Sequence, residues 1–500
     1  MKKLITLVVA GCMVLGSLGA ASAVDVKVSG QWWFHYGYYS NALLVDKSDS
    51  GKHADRTRAR QRVRTQIEFI ADENLSAMLN LETNMHWGDT DKGSGGPNNT
   101  YGGLDADNAT FFIKRAHLDW TLPNTQVKTR MGIQGIAMPS VVFGNPVMNA
   151  DVAGVSVSTQ FTPELGLTFY WARPYDRTYY DDAQNDGNND LDDMDLFGIM
   201  LPIKTDVIRA TPWAMFALIG KDSGFYGTQG DDTVGINAAG NIAIIPGNYA
   251  ANAYNYNRGQ RRWNGNRLDT SRMDSQTYGW WAGTTLELPI LDPFFVKIDG
   301  MVGGVETGVS EYDMFGWMVA ADIGYKFSWG ALSLQGFYSS GDKDDDDLGQ
   351  LPIISADGEF ATGGYGFGSH DWRRFDSMLS NTGQGMWGIG LKVADVSFVD
   401  NLKHTLIAMY YGGTNKGDSW TNKRRPGDGI QKTGDRFSGN TLMTSDRAYE
   451  VNLLSEYKVN ENLALKLDFA YIWLDLGDSW KDSGDTTGSF VTGIGVRYQF

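Results

Sequence analysis

The feature that most limits the fold of this chain is a repeat of about ten residues in which apolar and polar side chains alternate before a break. Val63, Thr65, Ile67 and Phe69 alternate with polar residues, and every odd position from Leu463 to Trp473 is apolar or aromatic. Successive side chains of a β-strand point to opposite faces, so each segment has one apolar and one polar face. Many such segments without a convincing helical period predict an all-β protein.

The connections between these segments alternate in length. Tight ones such as Asp72–Asn74 and Pro123–Thr125 alternate with long, polar, Gly-rich ones such as 89–107, 221–275 and 341–382. In an up-and-down sheet every second connection lies at the same end, so one rim carries tight turns and the other long loops. This asymmetry predicts a transmembrane antiparallel up-and-down β-barrel with short periplasmic turns and long extracellular loops. A soluble β-sandwich is the alternative, but it gives no reason for the regular alternation.

Counting the segments predicts about 18 strands. Sixteen is the alternative, because the segments 207–219 and 386–401 are poorly phased. Either even number returns both termini to the rim with the short turns, as a closed single-chain barrel requires.

The first 23 residues predict a cleaved signal peptide, which leaves a barrel over residues 24–500. Lys2 and Lys3 precede an apolar stretch, and Ala21-Ser22-Ala23 is typical of a cleavage site. Cleavage would change the formal net charge from −16 to −18 and remove Cys12, the only cysteine. The alternative is a lipobox at residues 9–12, with Cys12 as the lipidated first residue. Export and a barrel together predict the outer membrane of a Gram-negative bacterium.

Charge and aromatic content narrow the partners. A nucleic-acid partner is disfavoured by the strong net acidity. Aromatic residues are 12% of the chain, and several predicted strand ends carry them, including Trp87, Trp120 and Trp473. Amphipathic rings at both ends of an apolar band predict contact with a lipid bilayer.

The final strand is the most specific feature. Phe490, Thr492, Ile494, Val496, Tyr498 and Phe500 share one face, and the chain stops on Phe500. This strand resembles the C-terminal strand of bacterial outer-membrane proteins, in which the terminal aromatic residue is read by the barrel-assembly machinery. The resemblance implies that Tyr498 and Phe500 form an assembly signal.

Four stretches carry a resemblance to a family: Arg58–Phe69, Ala116–Pro123, Lys128–Gln134 and Gly493–Phe500. The chain resembles the large trimeric porins, and is most similar to the homotrimeric porins of sulfate-reducing bacteria of the Desulfovibrio type. The resemblance implies a homotrimer with three parallel pores for passive diffusion of small hydrophilic solutes and ions. It also implies that the connection after the fifth strand, about residues 136–153, folds into the barrel and constricts it.

Charged residues of period two predict the pore lining. Lipid exposure of an arginine costs several kcal/mol near the bilayer midplane, so the ladder Arg58, Arg60, Arg62 and Arg64 is expected to face the lumen. The same parity predicts further lining residues, namely Glu68, Glu82, Arg115, Asp119, Lys128 and Arg130. The ladder either sets a weak anion preference at the constriction or only braces the wall through Glu68, Glu82 and Asp119. Both roles can coexist.

Acidic residues are concentrated in predicted loops. Asp186, Asn188, Asp190 and Asp192 alternate as in a calcium loop, but Leu191 and Phe197 stand where an EF-hand has Gly and Glu. The loop is therefore either solvated surface or a weak calcium site, which could bridge to lipopolysaccharide phosphates or stabilise a trimer. No other metal or cofactor is predicted.

Three further functions are open to such a barrel. A substrate-specific channel for a sugar or an organic acid is the main alternative to a general pore, and an adhesin role could accompany either. An enzyme is disfavoured, because the six histidines are scattered and no nucleophile elbow or phosphate-binding glycine loop is evident.

Overall fold

The computed structural model describes eighteen long β-strands. The described residues are 24–40, 55–88, 111–176, 193–221, 223, 225, 262–263, 266–267, 272–341, 349–356, 360–366, 382–415, 431–433, 436–438, 442, 444–475 and 488–500. The strands are β1 Asp25–Ser40, β2 Arg56–Ile70, β3 Leu75–His86, β4 Phe112–Thr121, β5 Lys128–Ala137, β6 Met148–Thr162, β7 Leu165–Asp176, β8 Asp193–Met200, β9 Arg209–Gly220, β10 Gln276–Glu287, β11 Phe294–Glu306, β12 Met314–Phe327, β13 Gly330–Ser339, β14 Met386–Val399, β15 Leu402–Gly413, β16 Arg447–Lys458, β17 Leu463–Asp475 and β18 Ser489–Gln499.

These strands form one closed antiparallel barrel. Each strand pairs with its neighbour along the chain, and β18 pairs with β1 from Gln31 opposite Gln499 to Ser40 opposite Phe490. The prediction of an 18-stranded up-and-down barrel is therefore confirmed, and the alternative of sixteen is wrong. The poor phasing of 386–401 has a physical cause, because β14 shifts register twice between Val393 and Val399.

Shorter elements complete the fold. Ile203–Lys204 prolongs β8 along β9, and Ser355–Ala356 runs parallel to the start of β6 as one extra strand. Two isolated hairpins pair Arg262–Trp263 with Asn266–Arg267 and Gln431–Thr433 with Arg436–Ser438. Pro289–Leu291 and Ser310–Tyr312 are single 3-10 turns. The described residues contain no helix that is long and apolar enough to cross a membrane.

The two rims of the barrel differ. Both ends of the barrel sequence lie at one rim, here called the turn rim, where connections such as 71–74 and 459–462 are short. The opposite rim, here called the loop rim, carries the long connections, such as 221–275 and 340–385.

The wall is apolar outside. On β17, Leu465, Leu467, Phe469, Tyr471 and Trp473 are exposed, whereas the residues between them are buried. The same alternation holds on β12 and β16. A barrel that exposes its apolar face and turns polar groups such as Lys466 and Asp468 inward has the surface that a lipid bilayer requires.

Apolar residues also fill part of the interior. Inward-facing residues of β6–β15, among them Tyr170, Leu196, Met215, Trp281 and Met318, are almost completely buried in one hydrophobic cluster. They pack against chain segments that enter the lumen from the loop rim. The inward faces of β1–β5, in contrast, carry mainly charged and polar side chains. The lumen is thus divided into an apolar, filled side and a polar side.

Candidate functional site

Four arginines of β2 lie along the polar side of the lumen. Their neighbour Val63 pairs with Trp32, which is exposed on the outer surface, so the even-numbered residues of β2 face inward. Arg64 lies opposite Gln31 on one side and Glu82 on the other. At a rise of about 3.3 Å per residue, the row from Arg58 to Arg64 extends roughly 20 Å along the wall.

Glu82 of β3 lies between two arginines of this row. Its carboxylate is almost completely buried and accepts a hydrogen bond from Nε of Arg64, and its Oε1 lies 3.5 Å from Nε of Arg62. Asn84 joins the group, because its Oδ1 accepts from Nε of Arg62 at 2.6 Å and its Nδ2 donates to Glu82 at 2.7 Å. One acid therefore serves two guanidinium groups.

Asp119 of β4 forms a second group with two cations of β5. Arg130 donates to both carboxylate oxygens, from Nε at 2.6 Å and from Nη2 at 2.8 Å. Lys128 Nζ lies 3.2 Å from Oδ2 of the same carboxylate. A planar guanidinium that binds a carboxylate through two parallel hydrogen bonds is held in one orientation, so Arg130 is fixed against the wall.

Glu68 lies nearer the turn rim. It faces Lys27 of β1 in register and accepts a hydrogen bond from Nε2 of Gln66. Among the described side chains, the inward face of β2–β5 thus carries six cations and three carboxylates, namely Arg58, Arg60, Arg62, Arg64, Lys128 and Arg130 with Glu68, Glu82 and Asp119.

Arg115 is not part of this inward set. β4 has one extra residue, Lys114, between Arg115, which pairs with Asn80, and Ile113, which pairs with Leu81, and its residues before Ala116 do not pair with β5. The Arg115 guanidinium lies over Gly135, where a Cβ atom would come within 2.6 Å of Nη2. Gly135 lies between the buried Gln134 and Ile136 on the outward side of β5, so Arg115 lies outside the lumen. A bulge of this kind leaves no mark in the alternation of residue types.

The connection between β5 and β6, residues 138–147, enters the lumen and reaches β11. Its turn is held by Asp299 of β11, a buried carboxylate that accepts hydrogen bonds from the Ser140 hydroxyl at 2.6 Å and from the backbone N–H groups of Val141 and Val142 at 2.9 and 3.0 Å. Asn145 closes the base of this β5–β6 loop, since its Nδ2 donates to the Pro139 carbonyl and its Oδ1 accepts from the N–H of Val147.

A second segment also lies in the lumen. Residues 349–356 and 360–366, here called the inserted segment, belong to the long connection between β13 and β14 and are mostly buried. The segment is held by Glu450 of β16, whose Oε1 accepts hydrogen bonds from the N–H groups of Gly364 and Tyr365, each at 3.0 Å. Asn452 also accepts from Gly364, and the Tyr365 hydroxyl lies 2.8 Å from the Ser489 hydroxyl of β18.

The β5–β6 loop and the inserted segment contact each other. The N–H groups of Ile354 and Ala361 donate to the carbonyls of Val147 and Phe143, both at 2.8 Å. Phe143 of the loop, Phe360 of the segment and Phe337 of β13 form a triad with ring centroids 5.0 to 6.0 Å apart. The filled side of the lumen is therefore one packed unit built from two separate connections.

The sequence predicts neither the inserted segment nor the two anchoring carboxylates, Asp299 for the β5–β6 loop and Glu450 for the inserted segment, and it places 341–382 in a long polar connection. The one available signal is Gly363-Gly364-Tyr365-Gly366. A Cβ on Gly363 would lie 2.3 Å from Glu450 Oε1, so these glycines allow the backbone to approach the wall.

The remaining sequence predictions fall at the chain ends and in loops. Tyr498 and Phe500 lie on the outward side of the seam with ring centroids 5.8 Å apart, and Phe500 pairs with Gly30 through two backbone hydrogen bonds. The signal peptide and the calcium loop of Asp186, Asn188, Asp190 and Asp192 lie outside the described residues.

No protein-family model matches this sequence, and no curated protein matches it. Solved structures do match its fold. A BenF-like porin from Pseudomonas fluorescens Pf-5 aligns over 95% of this chain and 98% of its own, with a TM-score of 0.51 and 9% identity. A doubly substituted OccD1 (OprD) aligns over 96% of this chain and 97% of its own, with a TM-score of 0.50 and 10% identity. The chain therefore shares the fold of the porins.

Proposed function

We propose that this protein is an outer-membrane channel of a Gram-negative bacterium that admits small hydrophilic solutes and ions by passive diffusion, with a weak preference for anions at the constriction. The observation that carries the proposal is the polar side of the lumen, where six cations and three carboxylates of β2–β5 line one wall of a closed, outwardly apolar barrel. Rows of charge beside a narrow passage set the ion preference of a pore. The proposed activity is diffusion through a channel and not catalysis.

Bracing and selectivity are compatible in this arrangement. Glu82 and Asp119 each bind two cations, which fixes the positions of Arg62, Arg64, Lys128 and Arg130. Because two positive charges share each carboxylate, each group retains a formal excess of one positive charge. A charge held in one position acts on every ion that passes, whereas the field of a freely moving charged side chain is spread over many positions and screened by water.

The reversal potential across a planar bilayer tests this proposal. With a gradient of a salt whose two ions have equal mobility, we expect the wild-type channel to favour the anion. Changing Arg62 and Arg64 to Gln removes two charges from the ladder and should shift the reversal potential toward cation preference. Lys326→Gln is the matched control, because Lys326 is exposed at the turn rim beside Asp292. An unchanged reversal potential in the double variant would contradict the role of the ladder.

A substrate-specific channel for a sugar or an organic acid is the second candidate, and the inserted segment favours it. A general pore needs one constriction, but here two connections lie in the lumen on its apolar side, and the proposed passage lies beside the cationic wall of β2–β5. Conductance that saturates and is blocked by millimolar benzoate or gluconate would support this candidate over a general pore. Conductance that rises in proportion to salt concentration and is insensitive to both anions would contradict it.

The proposed assembly and partners of the channel follow from the sequence alone. We infer a homotrimer, insertion through the barrel-assembly machinery and contact with lipopolysaccharide at the loop rim. Light scattering of the detergent-solubilised protein would measure the number of chains, and a monomer would contradict the trimer.

A further inference from the structure

One sector of the outer surface differs from the rest of the barrel near the loop rim. Around most of the barrel this level carries exposed or stacked aromatic rings. Trp317 stacks on Tyr338 at 5.5 Å, and Tyr449 lies between Tyr410 and Trp473 at 4.7 and 5.2 Å. Phe216 and Tyr278 continue the belt on β9 and β10 at 6.1 Å.

Small residues replace these rings on β5 and β6. The outward positions nearest the loop rim are Gly135 and Ala137 on β5 and Asn149, Asp151 and Ala153 on β6. Among the described residues, neither strand has an exposed aromatic side chain at this level. A surface without bulky side chains is poorly suited to a membrane interface, where amphipathic rings are favoured, but it allows another backbone to approach closely.

Two charged groups flank the small residues on the same outward side. The first joins β4 to β6: Lys114 and Arg115 both contact Asp151, at 2.5 Å each. The Arg115 side chain crosses β5 to reach this carboxylate, and the absence of a side chain at Gly135 makes the crossing feasible.

The second group joins β7 to β8. Arg173 lies between Asp176, Asp193 and Asp195, with N–O distances of 3.7, 3.0 and 2.7 Å. Trp171 donates its indole N–H to Asp195 at 2.9 Å. These residues alternate with the buried, inward-facing Ala172, Met194 and Leu196, so they point outward.

Counted over their described residues, the two groups have opposite formal charge. Among the described residues, the first holds two cations and one carboxylate, and the second holds one cation and three carboxylates. Anionic lipid phosphates would be attracted to the first group and repelled by the second. A second copy of this chain offers a complement to both groups. The acidic second group of one copy, Arg173 with Asp176, Asp193 and Asp195, can face the basic first group, Lys114 and Arg115 with Asp151, of its neighbour. Contacts of this head-to-tail kind close into a ring when the rotation between copies allows it.

We propose that the outward face of β4–β8 near the loop rim is the contact surface between copies of this chain, with the Lys114–Arg115–Asp151 group of one copy facing the Arg173–Asp195 group of the next. The proposal rests on the oligomeric channel inferred above and names the surface that joins its subunits. Ala153 lies between the two groups, where the neighbouring barrel approaches most closely.

Light scattering of the protein in detergent tests this surface. Ala153→Trp places a bulky ring between the charged groups and should convert the oligomer to monomers. The matched control is Ala408→Trp, an exposed outward alanine on β15 on another sector of the wall. Heat-modifiable migration on a gel verifies that each variant forms a barrel. A combined Lys114→Gln and Arg115→Gln variant is the second test, and it should lower the oligomeric fraction severalfold at low salt.

Three results would overturn the proposal: a monomeric wild type, an Ala153→Trp oligomer as stable as the wild type, or loss of bound lipopolysaccharide with unchanged oligomers in the Gln variant. Single-channel recordings on the same samples separate this proposal from the channel itself. Monomeric Ala153→Trp protein that still conducts would support both. If no sample conducts, the proposed channel fails, and the light-scattering result still decides the contact surface.

Discussion

At the scale of single residues, two buried carboxylates on the barrel wall each hold a connection inside the lumen. Asp299 accepts backbone N–H groups of the β5–β6 loop, and Glu450 accepts those of the inserted segment. In both cases a wall side chain supplies the hydrogen-bond acceptor that backbone in a turn cannot find within its own segment. Hydrogen bonds to a charged acceptor contribute about 1.5–3 kcal/mol each, so each carboxylate is a strong local anchor.

Removing the second anchor should widen the passage. In Glu450→Ala, the N–H groups of Gly364 and Tyr365 lose their charged acceptor, and we expect the inserted segment to leave its position for part of the time. Single-channel recordings should then show higher mean conductance and more current noise than the wild type. Glu461→Ala is the control, because Glu461 is exposed in a turn at the turn rim. Wild-type conductance in Glu450→Ala would show that the segment is held by other contacts.

A glycine substitution tests the same anchor from the other side. A Cβ on Gly363 would lie 2.3 Å from Glu450 Oε1, so Gly363→Ala should displace the segment and raise the conductance as Glu450→Ala does. A Cβ on Gly300 of β11 would meet no atom within 4 Å, so Gly300→Ala should conduct like the wild type. If Gly363→Ala and Gly300→Ala had the same conductance, close contact at Gly363 would be contradicted.

The β5–β6 loop and the inserted segment depend on each other at the scale of elements. Their shared contact is the triad of Phe143, Phe337 and Phe360, supported by two backbone hydrogen bonds between the connections. Each of these phenylalanines is almost completely buried. Displacement of one connection should therefore loosen the other.

A double-mutant cycle measures this dependence. Phe143→Ala and Phe360→Ala should each lower the free energy of unfolding by about 3–5 kcal/mol, as is usual for truncation of a buried ring. The double variant should lose less than the sum, with a coupling of about 0.5–1.5 kcal/mol for direct ring contact. Guanidinium unfolding in detergent, followed by tryptophan fluorescence, supplies the values. Strictly additive losses would indicate that the rings act independently.

The sequence predicts those features of the architecture that depend on neighbouring residues, and it misses those that depend on residues far apart along the chain. Strand parity is a property of neighbouring residues, so alternation places Arg58, Arg60, Arg62 and Arg64 on one face. The pairing of β2 with β1 and β3 agrees with this placement. The position of Arg115 depends on one added residue in β4, which alternation does not reveal. The inserted segment is further from prediction, because its anchor is a contact between Gly364 and Glu450, 86 residues apart along the chain.

At the scale of the whole molecule, the excess of cations on one wall should make selectivity depend on salt. Electrostatic screening acts over about 10 Å at 0.1 M salt and about 3 Å at 1 M. We therefore expect the proposed anion preference, measured as a reversal potential at a fixed concentration ratio, to decline as both salt concentrations are raised tenfold. A preference that stays constant over this range would point to a steric cause.

The barrel closes at the seam between β1 and β18. Phe500 forms two backbone hydrogen bonds with Gly30, and its ring occupies the space beside that glycine. Deleting Phe500 should therefore lower the amount of assembled barrel, judged by heat-modifiable migration of outer-membrane fractions. Phe398→Ala is the control, since Phe398 is a highly exposed aromatic at the turn rim. Full assembly without Phe500 would contradict a role for the terminal residue.

The division of the lumen has a consequence for how a solute would travel. With one side filled, a path beside β2–β5 would run off the central axis, and a molecule moving along it would meet the row of arginines on one flank. A dipolar molecule would turn its negative end toward β2–β5 and keep that orientation from one arginine to the next. Such a passage would discriminate between stereoisomers of equal size and charge, because only one of them could present its remaining groups to the opposite flank without a clash.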